Sequence, residues 1–371
     1  MLHSEMNWLL YSLISSAAFG LESTISYDLV EVEKLGSAAL NTVIHTIFVA
    51  VGLSLAMITK KNNILKDFTK ILTNYSVWII LAGICGLFGN VFLYWAYVLG
   101  DDVNPGIIAT MSNVAIVIST LLAYLVYDAK ITGKQGLGML VMIIAFGMAS
   151  MSNSSKDSSK VVGKKHQGKK SGSTSASNKK TAHPKQQEGQ VGQVGEVAHH
   201  QGISGNVKRK DKVENYKWII VTLLSALAYG GLSFFQYVIT KKDKKLNMLA
   251  LGLGVALIES IIGIIIYCIS RINKGIEKGP FKNYKKDIET LIKPEYYLYN
   301  IGAALFDGIG LSALLKSYTL AKNPGMADVI SDSYTIIQSV LAYIIYGKRM
   351  DVVQGLSVLV AIGGAALISI K

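Results

Sequence analysis

The chain is a series of long apolar stretches separated by short polar ones. A helix needs roughly 20 mostly apolar residues to cross the hydrocarbon layer of a membrane. The pattern predicts ten membrane-spanning helices and therefore an all-α integral membrane protein with several passes. The predicted spans are residues 7–26, 37–58, 77–99, 104–127, 135–152, 217–239, 247–270, 297–319, 324–346 and 354–370.

One long polar interval, residues 153–216, interrupts this pattern in the middle of the chain. It is rich in Lys, Ser, Gly and Gln, and Tyr216 is its only aromatic residue. Such a composition cannot bury enough apolar surface to fold. The interval is therefore predicted to be a disordered basic linker between two membrane regions, 1–152 and 217–371.

The two membrane regions are related in sequence. Displacing the chain by 219 positions places Asn104-Pro105-Gly106 on Asn323-Pro324-Gly325, and 14 of the 38 positions from 104 to 141 are then identical. A displacement of 210 positions aligns Ala18-Phe19-Gly20 with Ala228-Tyr229-Gly230. Because each copy has an odd number of predicted spans, the second enters the membrane from the opposite face. We therefore expect two inverted five-helix repeats with a substrate site near the midplane between them.

Composition and charge argue against several classes of function. Hydrophobic residues make up 51% of the 371, and the mean hydropathy is +0.38 even with the polar linker included. The net charge of +13 is concentrated in the linker and in residues 271–293, without interleaved aromatics, which predicts no nucleic-acid partner. Cys85 and Cys268 lie inside predicted spans, so we expect no disulfide framework, metal site or cofactor. No nucleophile and base stand at a spacing typical of an enzyme.

The entry to each first span, Trp8 with Ala18-Phe19-Gly20 and Trp218 with Ala228-Tyr229-Gly230, resembles the EamA-type members of the drug/metabolite transporter superfamily. The Asn-Pro-Gly breakers and the turns leading into Gln135-Gly136 and Gln354-Gly355 are similar as well. The resemblance covers both halves and excludes only the linker. It implies ten helices in two inverted bundles around a central cavity, and transport of small metabolites by alternating access.

The chain departs from the family at one motif. Relatives usually carry a Gly-Glu pair in the turn after the fourth span of each repeat, whereas this chain has Asp128-Ala129 and Gly347-Lys348. The resemblance therefore implies a divergent member whose substrate is not inherited from a named branch.

Lysines beside the spans leave the orientation open. In the first repeat they favour a cytosolic N-terminus, because six lysines between Lys60 and Lys134 fall on the side opposite Lys34. The basic residues of 271–293 and of the linker would then lie outside, against the rule. The resemblance favours ten spans with both ends in the cytosol.

Ionisable residues inside a span mark functional candidates, since a charge at the bilayer centre costs at least about 2.5–3.5 kcal/mol. In the ninth predicted span, Asp328, Ser331, Asp332, Thr335 and Ser339 recur at intervals of three and four and so share one helix face. That face could line a cavity for a cation or polar solute, or join helices through hydrogen bonds; two acids one turn apart favour the cavity. Neighbouring carboxylates cannot both ionise cheaply, so Asp328 and Asp332 are also candidates for proton coupling.

Other spans supply further substrate-binding candidates: Asn90, Asn113, Glu259 and Asp307, with Asn113 equivalent to Asp332 in the repeat. Glu259 is also a candidate for proton coupling and a better candidate than Glu22, which lies near the end of its span and could reach the lipid headgroups.

Two basic residues inside the spans, the cation Lys316 and the switchable His45, each have two open interpretations. His45 is either a proton-coupling residue or hydrogen-bonded to a neighbouring helix. Lys316 either extends to the interface or binds an anionic group of the substrate.

Together these features predict a secondary transporter of a small polar metabolite. The substrate could be a cation, and its transport could be coupled to protons. The alternative is a transport-inactive receptor or scaffold on the same fold that uses the basic linker for interactions. The expected partners are membrane lipids, a small-molecule substrate and protons, and a homodimer is left open. A channel is disfavoured because the acids form no continuous ring.

Overall fold

A computed structural model describes residues 2–59, 62–127, 131–151, 216–243, 245–273, 275, 277–320 and 330–369. These residues are mainly helical, and no strand occurs among them. Six helices in this part of the chain are long and apolar enough to cross a membrane, which makes the protein a multi-pass membrane protein. They are Ser37–Ile58, Ser76–Leu99, Pro105–Val126, Lys217–Lys242, Met248–Ile272 and Pro294–Ser317.

The first half contains seven described helices. They are α1 (Leu2–Tyr27), α2 (Ser37–Ile58), α3 (Asn62–Asn74), α4 (Ser76–Leu99), α5 (Pro105–Ser112), α6 (Ala115–Tyr127) and α7 (Gly133–Met151). A π-helical turn, Asp28–Val32, continues α1. The second half contains α8 (Lys217–Lys242), α9 (Met248–Ile272), α10 (Tyr284–Leu291), α11 (Tyr297–Leu320), α12 (Tyr334–Tyr346) and α13 (Val352–Ser369).

Side-chain caps set the starts of two helices that contribute to the interior. Asn104 accepts a hydrogen bond from the backbone N–H of Gly106 at 2.9 Å, and Pro105 occupies the first turn of α5, where its missing N–H is not needed. Asn247 accepts from the N–H groups of Leu249 and Ala250 at the start of α9. The first Asn-Pro-Gly breaker is therefore a helix start, while the second lies outside the described residues.

The fourth predicted span is present, but its helix is interrupted. Between α5 and α6 the backbone N–H of Val114 bonds to the carbonyl of Met111 at 3.3 Å, a tighter turn than an α-helix makes. In the second half the N–H of Ser333 bonds in the same way to Ile330, again at 3.3 Å, just before α12. Hydropathy averaged over a whole span does not reveal these breaks, although polar residues, Ser112-Asn113 and Ser331-Asp332-Ser333, lie at both of them.

The helices of the two halves pack against each other in corresponding pairs. Helix α1 packs on α11 and α12, and α8 packs on α4 and α6. Helices α2 and α9 contact each other, as do α7 and α13.

Individual contacts also occur twice. The hydroxyls of Ser15 and Ser331 are 2.8 Å apart, and those of Ser112 and Ser225 are 3.2 Å apart. Gly20 packs against the side chain of Ile337, and Gly230 packs against Ile118 in the same manner. Each of these residues is aligned with its counterpart by the displacements found in the sequence.

Two short helices fall in intervals that the sequence analysis treated as loops. The amphipathic helix α3 packs its buried Ile71 toward α9 and carries Lys70, which pairs with Asp243 at 2.5 Å. Helix α10 packs on α2: Asp287 accepts from the backbone N–H of Gly36 at 2.9 Å. Burial raises the pKa of Asp287 to about 6, although the bond from Gly36 opposes the shift.

Candidate functional site

A cavity of about 270 Å³ lies among helices of both halves. Its described lining includes four carboxyl groups, those of Glu22, Glu259, Asp307 and Asp332, together with His45. No Lys or Arg belongs to that lining. Aromatic side chains complete much of the wall: Phe19, Phe48, Tyr94, Tyr229 and Tyr334. The cavity therefore combines acidic groups with aromatic faces, the two features that bind cations in a partly dry site.

Glu22, on α1, is held by three hydroxyl groups. Its Oε1 accepts from Ser26 at 2.6 Å and from Tyr94 at 2.9 Å, and its Oε2 accepts from Ser23 at 3.2 Å. The residue is 7% exposed, so the carboxyl group is positioned within the protein rather than in the lipid headgroups. Although Glu22 lies near the end of its predicted span, its side chain turns toward α4 and the cavity.

Glu259, on α9, is the centre of a second polar cluster. Its Oε2 accepts from the amide of Asn41 at 3.0 Å and from that of Asn90 at 3.4 Å, and it lies 3.5 Å from Nε2 of His45. Tyr229 donates a short hydrogen bond to Oδ1 of Asn90, which orients the Asn90 amide toward the carboxylate. Helices α2 and α4 therefore contact this carboxyl group directly, and α8 acts on it through Asn90.

A close approach of α4 makes room for that carboxyl group. A Cβ atom on Gly86 would collide with Oε1 of Glu259. Only glycine fits at this point of α4 while the carboxylate keeps its place. This is a local reason for one glycine of the third span that the sequence analysis did not single out as a site residue.

The two interrupted helices meet at the cavity. The Asn113 amide donates to the backbone carbonyl of Asp332 at 3.4 Å, and both residues line the cavity. Asn113 follows the end of α5, and Asp332 precedes α12, so the equivalent breaks lie side by side. Asp307, on α11, lines the same space and interacts electrostatically with His45 and Glu259.

Packed tyrosines form a layer next to the cavity, at the end of α1. Ser23 lines the cavity, and Tyr27, one turn further, is fully buried with its ring centroid 5.7 Å from that of Tyr97 and 5.2 Å from that of Tyr346. Gln338 donates to the Tyr97 hydroxyl at 3.0 Å, which ties α12 to this layer. Packed aromatic side chains therefore fill the protein next to this part of the cavity.

The predicted site residues divide into three groups. Those that line the cavity are His45, Asn90, Asn113, Glu259, Asp307, Ser331 and Asp332. Thr335 is buried and donates to the carbonyl of Asp332 without lining the cavity, and Lys316 has an exposed side chain and is not among the lining residues. Asp328 lies outside the described residues, as does the predicted linker apart from Tyr216.

Several lining residues were missed by the sequence analysis. Glu22 was rated below Glu259 because it lies near the end of its span, and Tyr94 and Tyr334 gave no signal that separates them from ordinary aromatic packing. Phe19 and Tyr229 did give a signal, because they occupy the same position in the two copies of the Ala-aromatic-Gly motif. A duplicated motif on a predicted substrate-facing helix could have identified both.

No family model and no curated protein matches the chain. One solved crystal structure of a protein aligns with it over 96% of this chain and 94% of that chain, at 12% identity and a TM-score of 0.46. A likeness at that distance carries no argument about fold or function.

Proposed function

We propose that the protein is a secondary transporter built from two inverted five-helix repeats, as in the EamA-type family that its sequence resembles. The repeated contacts support this architecture. If a twofold axis relates the halves, each contact between residues of different halves must have a counterpart, and the paired serines and paired glycine contacts satisfy that requirement.

The substrate in this proposal is a small organic cation. The acidic lining of the cavity carries the proposal, because four carboxyl groups face a space without a described Lys or Arg in its wall. Carboxylates without a cationic partner are costly in a low-dielectric interior, and a bound cation or protons must neutralise their negative charge. The volume of about 270 Å³ lies just below the usual range for drug-sized ligands and suits a small metabolite.

The tyrosine layer supports alternating access. Tyr27, in the closed layer, is 1% exposed, whereas Tyr237, its equivalent on α8, is 41% exposed. The surroundings of these two equivalent residues therefore differ although their sequences correspond. In the proposed cycle the halves rock against each other, the layer around Tyr27 opens, and the equivalent end closes.

Ligand-dependent stabilisation of the purified protein tests this function. A ligand that binds only the folded state raises the unfolding temperature. Choline, a small organic cation, is compared with 3,3-dimethylbutanol, its uncharged analogue of the same shape. We expect choline but not the alcohol to stabilise the protein, and labelled choline to enter proteoliposomes that contain it.

Variants assign the effect to the cavity. Glu22→Gln removes a carboxyl group from the lining, whereas Glu289→Gln removes an exposed carboxylate from α10 and serves as the matched control. The first is expected to weaken stabilisation by choline, and the second to preserve it. Equal stabilisation by choline and the alcohol, or an unchanged choline response in Glu22→Gln, would contradict a cation site in this cavity.

A further inference from the structure

The pair formed by His45 and Glu259 joins the two halves inside the cavity wall. His45 belongs to α2 and Glu259 to α9, and their side chains are only 9% and 2% exposed. Nε2 of His45 and Oε2 of Glu259 are 3.5 Å apart. Water therefore has little access to either group from outside the cavity, and their protonation must be considered together.

A hydrogen bond to the backbone determines which ring nitrogen of His45 carries the hydrogen in the neutral imidazole. Nδ1 of His45 lies 2.9 Å from the carbonyl oxygen of Asn41, which can only accept, so Nδ1 carries a hydrogen. In the neutral imidazole, Nε2 then has a lone pair that points toward an oxygen of Glu259. Two acceptors facing each other in a buried site are unfavourable, and a single shared proton removes the conflict.

The surroundings support both positions of that proton. With the proton on His45, the Glu259 carboxylate is stabilised by the Asn41 and Asn90 amides; with the proton on Glu259, the acid can donate to Nε2. Other titratable groups face the pair from neighbouring helices or lie elsewhere along α9. Asp307, Glu22 and Tyr229 interact with it electrostatically, Tyr284 bonds to the carbonyl of Gly263 one turn further along α9, and Asp67 accepts from the N–H of Asn247 at the start of α9.

We propose that the His45–Glu259 pair holds the proton that is exchanged for the cationic substrate in each transport cycle. This inference rests on the proposed transport function and assigns its coupling site. A cation that enters beside Asp307 and Glu22 takes over the neutralising role of the shared proton. The N–H bond at Nε2 then breaks, its electron pair stays on nitrogen, and the proton passes to water in the cavity. One proton leaves for each monovalent cation bound, so the charge of the cavity is unchanged.

The arrangement also explains why both groups of the pair are needed. A carboxyl group alone could release a proton, but burial among the other three acids of the cavity would hold that proton tightly. The imidazole offers a second site for the same proton, and its charged form is balanced by the carboxylate 3.5 Å away. The pair can therefore lose its proton when a cation arrives and regain it when the cation leaves.

Two transport assays in proteoliposomes separate coupling from transport itself. The first measures exchange of labelled external choline for internal choline without a pH gradient. The second measures accumulation of choline driven by a pH gradient, interior acidic. For wild-type protein we expect both activities. Absence of both would contradict the proposed transport of this cation class, whereas exchange without accumulation would contradict coupling alone.

Variants of the pair test the assignment. In His45→Gln the side chain can still donate a hydrogen bond to Glu259 but cannot carry the exchanged proton. We expect the ratio of gradient-driven accumulation to exchange to fall at least about tenfold in His45→Gln and in Glu259→Gln, and to stay at the wild-type value in the control Glu289→Gln. A merely structural pair would lower both activities together and leave the ratio unchanged, which would overturn the proposal.

A measurement on the wild-type protein keeps the test independent of how the variants fold. Choline is added to purified protein in weakly buffered detergent solution, and proton release is followed with a pH indicator. We expect about one proton released for each choline bound near neutral pH. Binding without proton release would overturn the coupling assignment while leaving the cation site intact.

Discussion

The paired glycine contacts allow a quantitative test of how closely the two halves pack. A Cβ atom added to Gly230 would lie 2.6 Å from Cγ2 and 2.7 Å from Cβ of Ile118, and 3.0 Å from the carbonyl oxygen of Ala115. Cβ of Ile118 is attached directly to its backbone, so no rotamer change can remove the overlap. Helices α6 and α8 would have to move apart by roughly 1 Å to restore ordinary carbon–carbon separations of about 3.5–4 Å.

The expected loss follows from the cost of overpacking. Gly230→Ala should lower the free energy of unfolding by about 1–3 kcal/mol. Gly20→Ala should act in the same direction but less strongly, because its Cβ would lie 2.8 Å and 2.9 Å from Cγ2 and Cβ of Ile337 and 3.4 Å from the carbonyl oxygen of Tyr334.

Another equivalent pair of glycines provides the control. Neither Gly136 nor Gly355 has an atom within 4 Å of an added Cβ. Alanine at these helix positions should leave stability unchanged or raise it by up to about 1 kcal/mol, through its better helix propensity. Thermal unfolding of the four variants in one detergent, followed by intrinsic fluorescence, gives the ranking. If Gly20→Ala and Gly230→Ala unfolded at the wild-type temperature, or if the controls lost as much, the close approach of the halves would be refuted.

Three further predictions concern other contacts. Because burial raises the folded-state pKa of Asp287 to about 6, above the value of about 3.9 for an unfolded aspartate, the folded state binds more protons between these values. Stability should fall as pH rises from about 4 to 6, and Asp287→Asn should flatten that part of a stability–pH curve; an unchanged curve would rule out this residue as the cause. Tyr346→Phe removes the hydrogen bond to Asp28 at 3.0 Å, so it should lower the free energy of unfolding by about 1 kcal/mol; an unfolding temperature equal to that of the wild type would contradict this role. Lys70→Ala breaks the exposed ion pair with Asp243, and its unfolding temperature should match the wild type in high salt; a loss that persists there would show that the pair is not screened.

The sequence was informative about the membrane and the repeat because both leave regular patterns. Apolar length predicts spans whatever their neighbours are, and the duplicated Ala-aromatic-Gly and Asn-Pro-Gly motifs align residues that make equivalent contacts. The same patterns say little about which side chains meet. Glu22 and Lys316 both looked ambiguous near span ends, yet Glu22 turns into the cavity and Lys316 is exposed.

Helical periodicity places residues on one face of their own helix but does not say what that face contacts. The stripe of the ninth predicted span was rated by spacing alone, and its members have different environments: Asp332 lines the cavity, whereas Thr335 and Ser339 are buried against other helices. The sequence could not predict the cluster around Glu259 for a related reason. Its partners Asn41 and His45 on α2 and Asn90 on α4 are far from Glu259 in sequence, and each alone resembles a common buried polar residue.

The sequence alone therefore determined that this is a multi-pass helical membrane protein, because the cost of exposing polar backbone to lipid restricts every long apolar stretch to a few structures. It also determined which positions of the two halves correspond. Only the tertiary structure decided that His45 faces Glu259, that Asn113 meets Asp332 and that Tyr27 packs against Tyr97 and Tyr346. Those contacts depend on how the helices rotate and cross, and side-chain packing between distant segments sets both.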